Sequence, residues 1–485
     1  MIGLWLTPYL LKHLGIAAYG LIPLAMFLSQ YVSVIINAIN MSINRFLLIA
    51  LQKKQDQDAN EIFNTSLVII LVFIVVQALV MGIILFDITT FFTIPQELIV
   101  DATWLFGLTF VGFSISLFRS VFGTSMFAYN RLDILRTIDI VQNLVRVISI
   151  VSLFMYDEPS LKYIGMANLL AALSAVVPTL YYFKKFTPQL KVNVSSFSKH
   201  RVSELSKMST WVLINQVGVL LLGNIDLYLV NKWIGTQATG EYAIVLQFIS
   251  IVKVASGLLA AVFAPVFMIY YAEGQYVKLR DMALLAIKVM SIVTIIPLSI
   301  IIYFSGDIIS VWLGSEYSYI KDILSFSLLF LIFTIPIMPL YNITISFNRV
   351  KIPAMIVILN GLINVSMIYL LLTYTDLGLW AVVLTKLVLE IGYTAIFVPL
   401  YVANILKTDR FYFSKISLIS IFIFISIYFV MMIQPFYLEQ LSLINIIIIY
   451  IFSASIFMPI LYKIIFTKDE QYIIISKYKQ WRKHV

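Results

Sequence analysis

No cysteine occurs in this 485-residue chain. Disulfides, iron–sulfur clusters and thiolate zinc sites are therefore excluded. Histidine is almost as scarce. His13, His200 and His484 lie far apart and form no histidine metal cluster, so no metal site and no bound cofactor are expected. Charge is sparse as well, at 12% of residues, where a soluble domain carries about a quarter. The sequence has no phosphate-cradling Gly-rich loop and no Ser-His-Asp set. ATP hydrolysis and hydrolytic catalysis are unsupported, and the chain is not expected to be an enzyme. The N-terminus has no basic region followed by a small-residue cleavage site, so it is not a signal peptide.

What is abundant is apolar sequence: 61% of residues are hydrophobic and the mean hydropathy is +0.98. No soluble fold buries that fraction, so the class is an all-α polytopic membrane protein. The net charge of +9 would hint at nucleic acid in a soluble protein. Here the cations sit in turns, where orientation in the bilayer accounts for them, and no nucleic-acid partner is expected.

Apolar runs broken by polar turns predict 14 transmembrane helices, at about 1–13, 18–43, 64–86, 101–127, 138–156, 162–182, 209–232, 238–271, 281–304, 320–347, 352–374, 377–403, 414–434 and 441–465. The first is short. As a helix it covers roughly 17 Å of a hydrocarbon core about 30 Å thick, and a start codon upstream is expected. Lys and Arg collect in alternate turns: Arg45, Lys53 and Lys54, then Arg131 and Arg136, Lys278 and Arg280, Arg349 and Lys351, Lys407 and Arg410, and the tail from Lys463. The opposite turns hold mostly acids such as Asp87, Glu97, Asp157 and Asp307. This alternation predicts both termini on the cytoplasmic side. External turns are short, and the longest, about Asp87 to Val100, has room for an interfacial helix only.

The sequence reads as one structural unit used twice. Tyr9-Leu10-Leu11-Lys12-His13-Leu14-Gly15 is echoed by Tyr228 to Gly235, and Ala18-Tyr19-Gly20 less closely by Gly240-Glu241-Tyr242. Repeated bundles of this kind are a transporter plan. The expected organisation is an N-lobe at 1–182, a cytoplasmic connector at 183–208, a C-lobe at 209–404, and two further helices with a basic tail at 405–485. The two six-helix lobes are pseudo-symmetric about an axis along the membrane normal. The connector reads either as a solvated linker or as an amphipathic segment lying on anionic lipid.

Five cations remain inside spans: Arg119, Arg146, Lys253, Lys288 and Lys386. Facing lipid at mid-bilayer, each would cost about 2.5–3.5 kcal/mol on insertion scales. They are candidates for a cationic substrate path, together with Arg45 at the inner end of its helix. Lys253 lies too deep to snorkel, whereas Arg119, Arg146 and Lys288 are nearer the cytoplasmic ends. Lys386 precedes Glu390 by one turn, on the same face. That spacing fits either a neutralised pair locking the bundle or a switchable pair on the transport path. Asp226 and Glu390 are the candidates for coupling to a proton or sodium ion. Prolines inside spans, among them Pro265, Pro297, Pro336, Pro339 and Pro399, predict kinks. Trp104, Trp211, Trp233, Trp312 and Trp380 fit interfacial belts.

The stretches LTPYLLKHLGIAAYGLIPLA, FSKHRVSELSKMSTWVLINQVGVLLLGNIDLYLVNKWIGTQATGEYAIV and APVFMIYYAEGQYVKLRDM, with the fourteen-span layout, resemble Wzx-type O-antigen and polysaccharide flippases. These belong to the multidrug/oligosaccharidyl-lipid/polysaccharide (MOP) exporter superfamily. The resemblance covers essentially the whole chain and carries superfamily better than substrate. It implies a MATE-like pair of six-helix lobes around a central cavity. It also implies transfer of undecaprenyl-diphosphate-linked oligosaccharide from the inner to the outer leaflet of a bacterial cytoplasmic membrane. Membrane potential or a H+/Na+ gradient would drive the cycle, and the implied partners include a polysaccharide polymerase and a chain-length regulator. The rivals are a lipid II flippase, a multidrug exporter, a membrane-embedded polymerase and a non-transporting scaffold. An excess of in-span cations disfavours a cationic drug as cargo. The short external turns disfavour the polymerase, and the lobe repeat with its in-span lysines disfavours the scaffold.

Overall fold

The computed structural model describes residues 2–223, 225–433, 443–468 and 470–471, with the side chains of some helical stretches, such as 28–39 and 204–215, outside that description. Among the described residues all regular structure is helical. The chain begins with α1 (Ile2–Gln52), α2 (Asp56–Phe86), α3 (Ile88–Phe91), α4 (Ile99–Ala128), α5 (Leu132–Tyr156), α6 (Leu161–Phe186), α7 (Lys199–Gly223) and α8 (Ile225–Trp233). It continues through α9 (Thr236–Ala261), α10 (Ala264–Ala272), α11 (Tyr276–Tyr303), α12 (Ser305–Leu313), α13 (Lys321–Leu329), α14 (Leu331–Ile337) and α15 (Leu340–Ser346). Then come α16 (Lys351–Tyr374), α17 (Leu379–Glu390), a π-helix at Ile391–Phe397, α18 (Val398–Ile405), α19 (Ser414–Ile433) and α20 (Leu443–Ile465). Ten described segments, from Gly3–Phe27 to Leu379–Ile405, are long and apolar enough to cross a bilayer, and two shorter apolar helices are Ile419–Met432 and Ser455–Ile465.

The chain forms two compact units, Met1–Ala243 with Ala354–Thr373, and Ile244–Pro353 with Tyr374–Val485. In the first, the expected turn between the first two spans is a kink inside α1, at Gly15 (φ 76°, ψ 169°). No L-residue adopts that backbone without strain. Small residues let helices meet closely. A β-carbon on Gly165 of α6 would lie 3.0 Å from the α-carbon of Leu105 in α4. The echoed segments also touch: a β-carbon on Gly20 would lie 2.5 Å from the Gly240 nitrogen, and one on Gly240 would run into the Ile16 carbonyl. Phe63, Phe122 and Phe183 bring α2, α4 and α6 together with ring centroids 5.0–5.7 Å apart.

The connector differs from both expectations. α6 runs on to Phe186 and α7 starts at Lys199, leaving 187–198 as the link. This link is fastened to α2 by side-chain amides. Asn60 donates to the Gln189 carbonyl (3.0 Å) and accepts from the Lys191 N–H (2.8 Å). One turn on, Asn64 donates to the Lys191 carbonyl (2.9 Å) and accepts from the Asn193 N–H (2.7 Å). Thr65 accepts from the Ser198 N–H at 3.1 Å, and Arg201 closes the run onto Asp58. The amides do for part of the link's backbone what water does for a free loop, so the link is fastened to α2 while much of its surface stays exposed.

In the second unit α11 is buried on nearly every side, as a helix apolar all round should be. Ser291 of α11 meets Ser420 of α19 at 2.9 Å. Several helices expected to be continuous are divided. The run 238–271 splits into α9 and α10, with Pro265 in the first turn of α10. The run 320–347 becomes α13, α14 and α15, with Pro336 inside α14 and Pro339 capping α15. Each proline lacks the N–H that would continue the ladder. The run 377–403 keeps its path but widens into the π-helix directly after Glu390. In the first unit, the run 209–232 is described as α7 and α8 on either side of Asn224, which lies outside the described residues.

Candidate functional site

In the first unit, α5 presents Gln142, Asn143 and Arg146 on one face, since residues three and four apart are helical neighbours. With Thr109 and Ser116 of α4 and Asn168 of α6, they line a cavity of about 270 Å³. Asn168 donates to the Thr109 hydroxyl (3.0 Å), which fixes the α4–α6 wall. Among the described residues no carboxylate lines this space. Among the described residues Arg146 takes part in no ion pair, and its buried Nε has no hydrogen-bond partner. The cavity therefore offers one uncompensated guanidinium surrounded by amides and hydroxyls. Such a setting suits an anion bearing hydroxyl-rich groups.

The other predicted residues are placed differently. Arg119 is occupied: its Nη2 lies 3.1 Å from Asp139 of α5, and its Nη1 donates to Thr179 of α6 at 3.4 Å. Asp139 also receives Arg136 at 3.7 Å. The Arg45 side chain lies outside the described residues. Asp226 is fully buried in α8. It accepts from Asn364 Nδ2 of α16 (2.7 Å) and from the Tyr242 hydroxyl (3.3 Å). Asn364 also donates to the Leu221 carbonyl (3.1 Å), so these contacts tie α16 to both α7 and α8.

In the second unit, Lys253 of α9 reaches Glu390 at 3.5 Å and sits over the Phe330 ring, 5.0 Å from its centroid. Glu390 is buried and is the last α-helical residue before the π-helix. Single-turn π segments often mark functional positions because they displace a side chain from its helical register. Lys386 is buried one turn earlier on α17. Lys288 is buried and held by both carboxylate oxygens of Glu470, each at 2.8 Å. Glu470 also caps the chain after α20, accepting from the Thr467 N–H at 2.8 Å. The structure thus joins Lys253 to Glu390 and leaves Arg146, Lys288 and Asp226 in separate surroundings.

Sequence reasoning missed Asp139, Asn364 and Glu470 as partners, and missed Gln142, Asn143 and Asn168 as cavity walls. The Gln142–Asn143–Arg146 spacing was a usable signal, being a polar stripe inside an apolar span. The three partner residues sit far along the chain from what they contact, and no local pattern marks them.

Comparison with known proteins places these features in a wider group. The pattern described as "Polysaccharide biosynthesis protein" matches residues 1–270, and the MatE pattern matches residues 212–370. The uncharacterized membrane protein EpsK of Bacillus subtilis (strain 168) is 31% identical over 414 residues, covering 85% of this chain and 82% of that protein. In fold the chain is similar to an inward-facing multidrug resistance MATE family transporter of the MOP superfamily, with TM-score 0.70, 16% identity, and coverage of 84% of this chain and 96% of the other. It is similar to the lipid II flippase MurJ in an inward closed conformation, with TM-score 0.69, 17% identity, and coverage of 96% and 97%. These two likenesses establish a MATE-like and MurJ-like fold.

Proposed function

The chain is a multi-pass membrane protein of the polysaccharide biosynthesis protein family, and from that premise we propose that it flips lipid-linked oligosaccharide diphosphates across the membrane. The observation that carries this reading is Arg146, an in-span cation without an ion pair among the described residues, facing a cavity of amides and hydroxyls. Placing such a charge in a span costs about 2.5–3.5 kcal/mol, and an anionic cargo supplies what offsets it. The guanidinium would take the diphosphate through paired N–H donors. Gln142, Asn143, Asn168 and the hydroxyls of Thr109 and Ser116 would take the sugars. The polyprenyl tail stays in lipid throughout.

Direction follows from charge. Each negative charge moved outward gains about 2.3 kcal/mol per 100 mV, inside negative. Lys253 and Glu390 are the proposed coupling pair: protonating or cation-loading Glu390 frees Lys253 and changes the charge of α17 beside its π-helix. Asp226, locked by neutral donors, is the weaker coupling candidate. The proposal keeps the two six-helix lobes, the fourteen spans, both termini on the cytoplasmic side of a bacterial inner membrane, and a polymerase and chain-length regulator as working partners. Lipid II as cargo is the second reading, supported by the near full-length likeness to a lipid II flippase.

The test is flipping in proteoliposomes, with labelled undecaprenyl-diphosphate-oligosaccharide followed by external enzyme accessibility under an imposed potential. Exposure that Arg146→Ala abolishes and Arg146→Lys partly retains supports the reading. No exposure above empty liposomes with any glycan tried overturns it, and lipid II transport in the same vesicles would favour the second cargo.

A further inference from the structure

A second cavity, of about 480 Å³, lies in the second unit where the start of α11 meets the ends of α15 and α18. Tyr276, Phe347, Arg349, Tyr401, Asn404 and Lys407 line it, and among the described residues no carboxylate does. The rings are organised before any ligand arrives. Phe347 packs against Tyr271 (centroids 4.6 Å apart) and Tyr276 (5.7 Å). Tyr401 ends a stack that runs through Phe397 and Tyr393 to Tyr341, with neighbouring rings 5.4, 5.7 and 6.4 Å apart and within 20° of parallel.

Two helix C-termini would ordinarily repel an anion through their free carbonyls. Here those carbonyls are already bonded. After α15, Asn348 turns left-handed (φ 52°), and the Arg349 N–H returns to the Thr344 carbonyl at 2.8 Å. After α18, Lys407 does the same (φ 51°), and the Thr408 N–H returns to Ala403 at 3.0 Å. Both are Schellman caps. The Tyr401 hydroxyl takes the Arg349 carbonyl at 3.0 Å, bracing one cap against the other helix. What remains exposed at this mouth is cationic. Among the described residues neither Arg349 nor Lys407 is in an ion pair.

We propose that this pocket is a docking site for a phosphorylated sugar headgroup, separate from the Arg146 cavity, with Arg349 and Lys407 on the phosphate and the rings on the sugar. The electropositive C–H face of a pyranose matches the negative face of an aromatic ring, and two cations with an amide match a phosphate beside hydroxyls. The cargo class rests on the flippase reading, whereas the pocket itself does not.

The test uses the purified full-length protein in detergent with N-acetylglucosamine 1-phosphate as probe, against inorganic phosphate and free N-acetylglucosamine. A polyprenyl-diphosphate sugar in nanodiscs forms the lipid-borne arm, and phosphatidylglycerol competes. The sugar phosphate is expected to bind at least tenfold more tightly than either half. Arg349→Gln with Lys407→Gln should weaken it tenfold or more, Tyr276→Ala severalfold, and Arg131→Ala, at an exposed pair with Asp133, should leave it unchanged. Tighter binding of the lipid-borne sugar identifies the membrane as its source, and equal binding identifies a soluble donor. Unaltered affinity in the Arg349→Gln, Lys407→Gln protein, or phosphatidylglycerol competing as well as the sugar phosphate, overturns the proposal. Binding with no flipping leaves the pocket standing and removes the flippase reading, while flipping with no binding here does the reverse.

Discussion

The two units handle charge inside apolar helices in opposite ways. The first leaves Arg146 open to a polar cavity. The second closes two of its in-span lysines onto acids, the partly exposed Lys253 on Glu390 and the buried Lys288 on Glu470. A closed pair contributes little net stability but is costly to break, because the survivor is left charged and desolvated. An open cation costs free energy all the time unless something anionic visits. On the proposed function, the open in-span cation of the first unit is the one that binds, and the closed in-span pairs of the second hold shape or switch. Arg119 of α4, paired with Asp139 of α5, shows that the first unit also closes a cation.

The contrast can be attacked at several points. Arg146→Ala should have the largest effect, reducing flipping by about 10–100-fold, the equivalent of about 1.5–3 kcal/mol of charge-assisted hydrogen bonding. Normal flux in that protein would break the comparison at its strongest side. Next comes Glu470→Ala. Lys288 and Glu470 are only 9% and 14% exposed, so stripping the partner should cost about 3 kcal/mol, read as a lower melting temperature in detergent. Lys288→Met together with Glu470→Met should recover most of it, and failure to recover would mean that the carboxylate matters for capping rather than charge. Glu390→Gln should leave folding nearly intact yet flatten the dependence of flux on pH or sodium. If that dependence survives, coupling lies elsewhere. Asp226→Asn places a second amide donor against Asn364 and should cost about 1–2 kcal/mol of stability, with little change in coupling. The smallest effect belongs to Arg131→Ala. Its pair with Asp133 is 46% and 62% exposed, and such surface pairs contribute under about 1 kcal/mol.

Much of the fold could be read from the sequence because bilayer length, proline chemistry and the placement of Lys and Arg are local properties. The bend at Gly15 and the division at Pro265 fall where the pattern puts a turn or a kink. The polar residues were found, but their partners often were not. Lys386 and Glu390 share a face by spacing alone, yet Glu390 also reaches Lys253 on another helix. Lys288 meets Glu470 from beyond the last span. Which azimuth of one helix faces which neighbour is set by packing of whole elements, and periodicity within one helix carries no record of it. The connector failed for a related reason. Its polar composition suggested water, whereas Asn60 and Asn64 of α2 supply the hydrogen bonds in water's place.

The contact between Gly20 and Gly240 has a consequence for the history of the chain. If the echoed segments descend from a duplicated ancestor, the two copies touch at a point where neither has a side chain. Glycine is already the smallest residue, so a bulkier substitution in one copy cannot be relieved by shortening the other. Each copy thus holds the other to its ancestral form at this position while the remaining sequence drifts. The faint echo still readable around these residues is what such mutual restraint would leave behind.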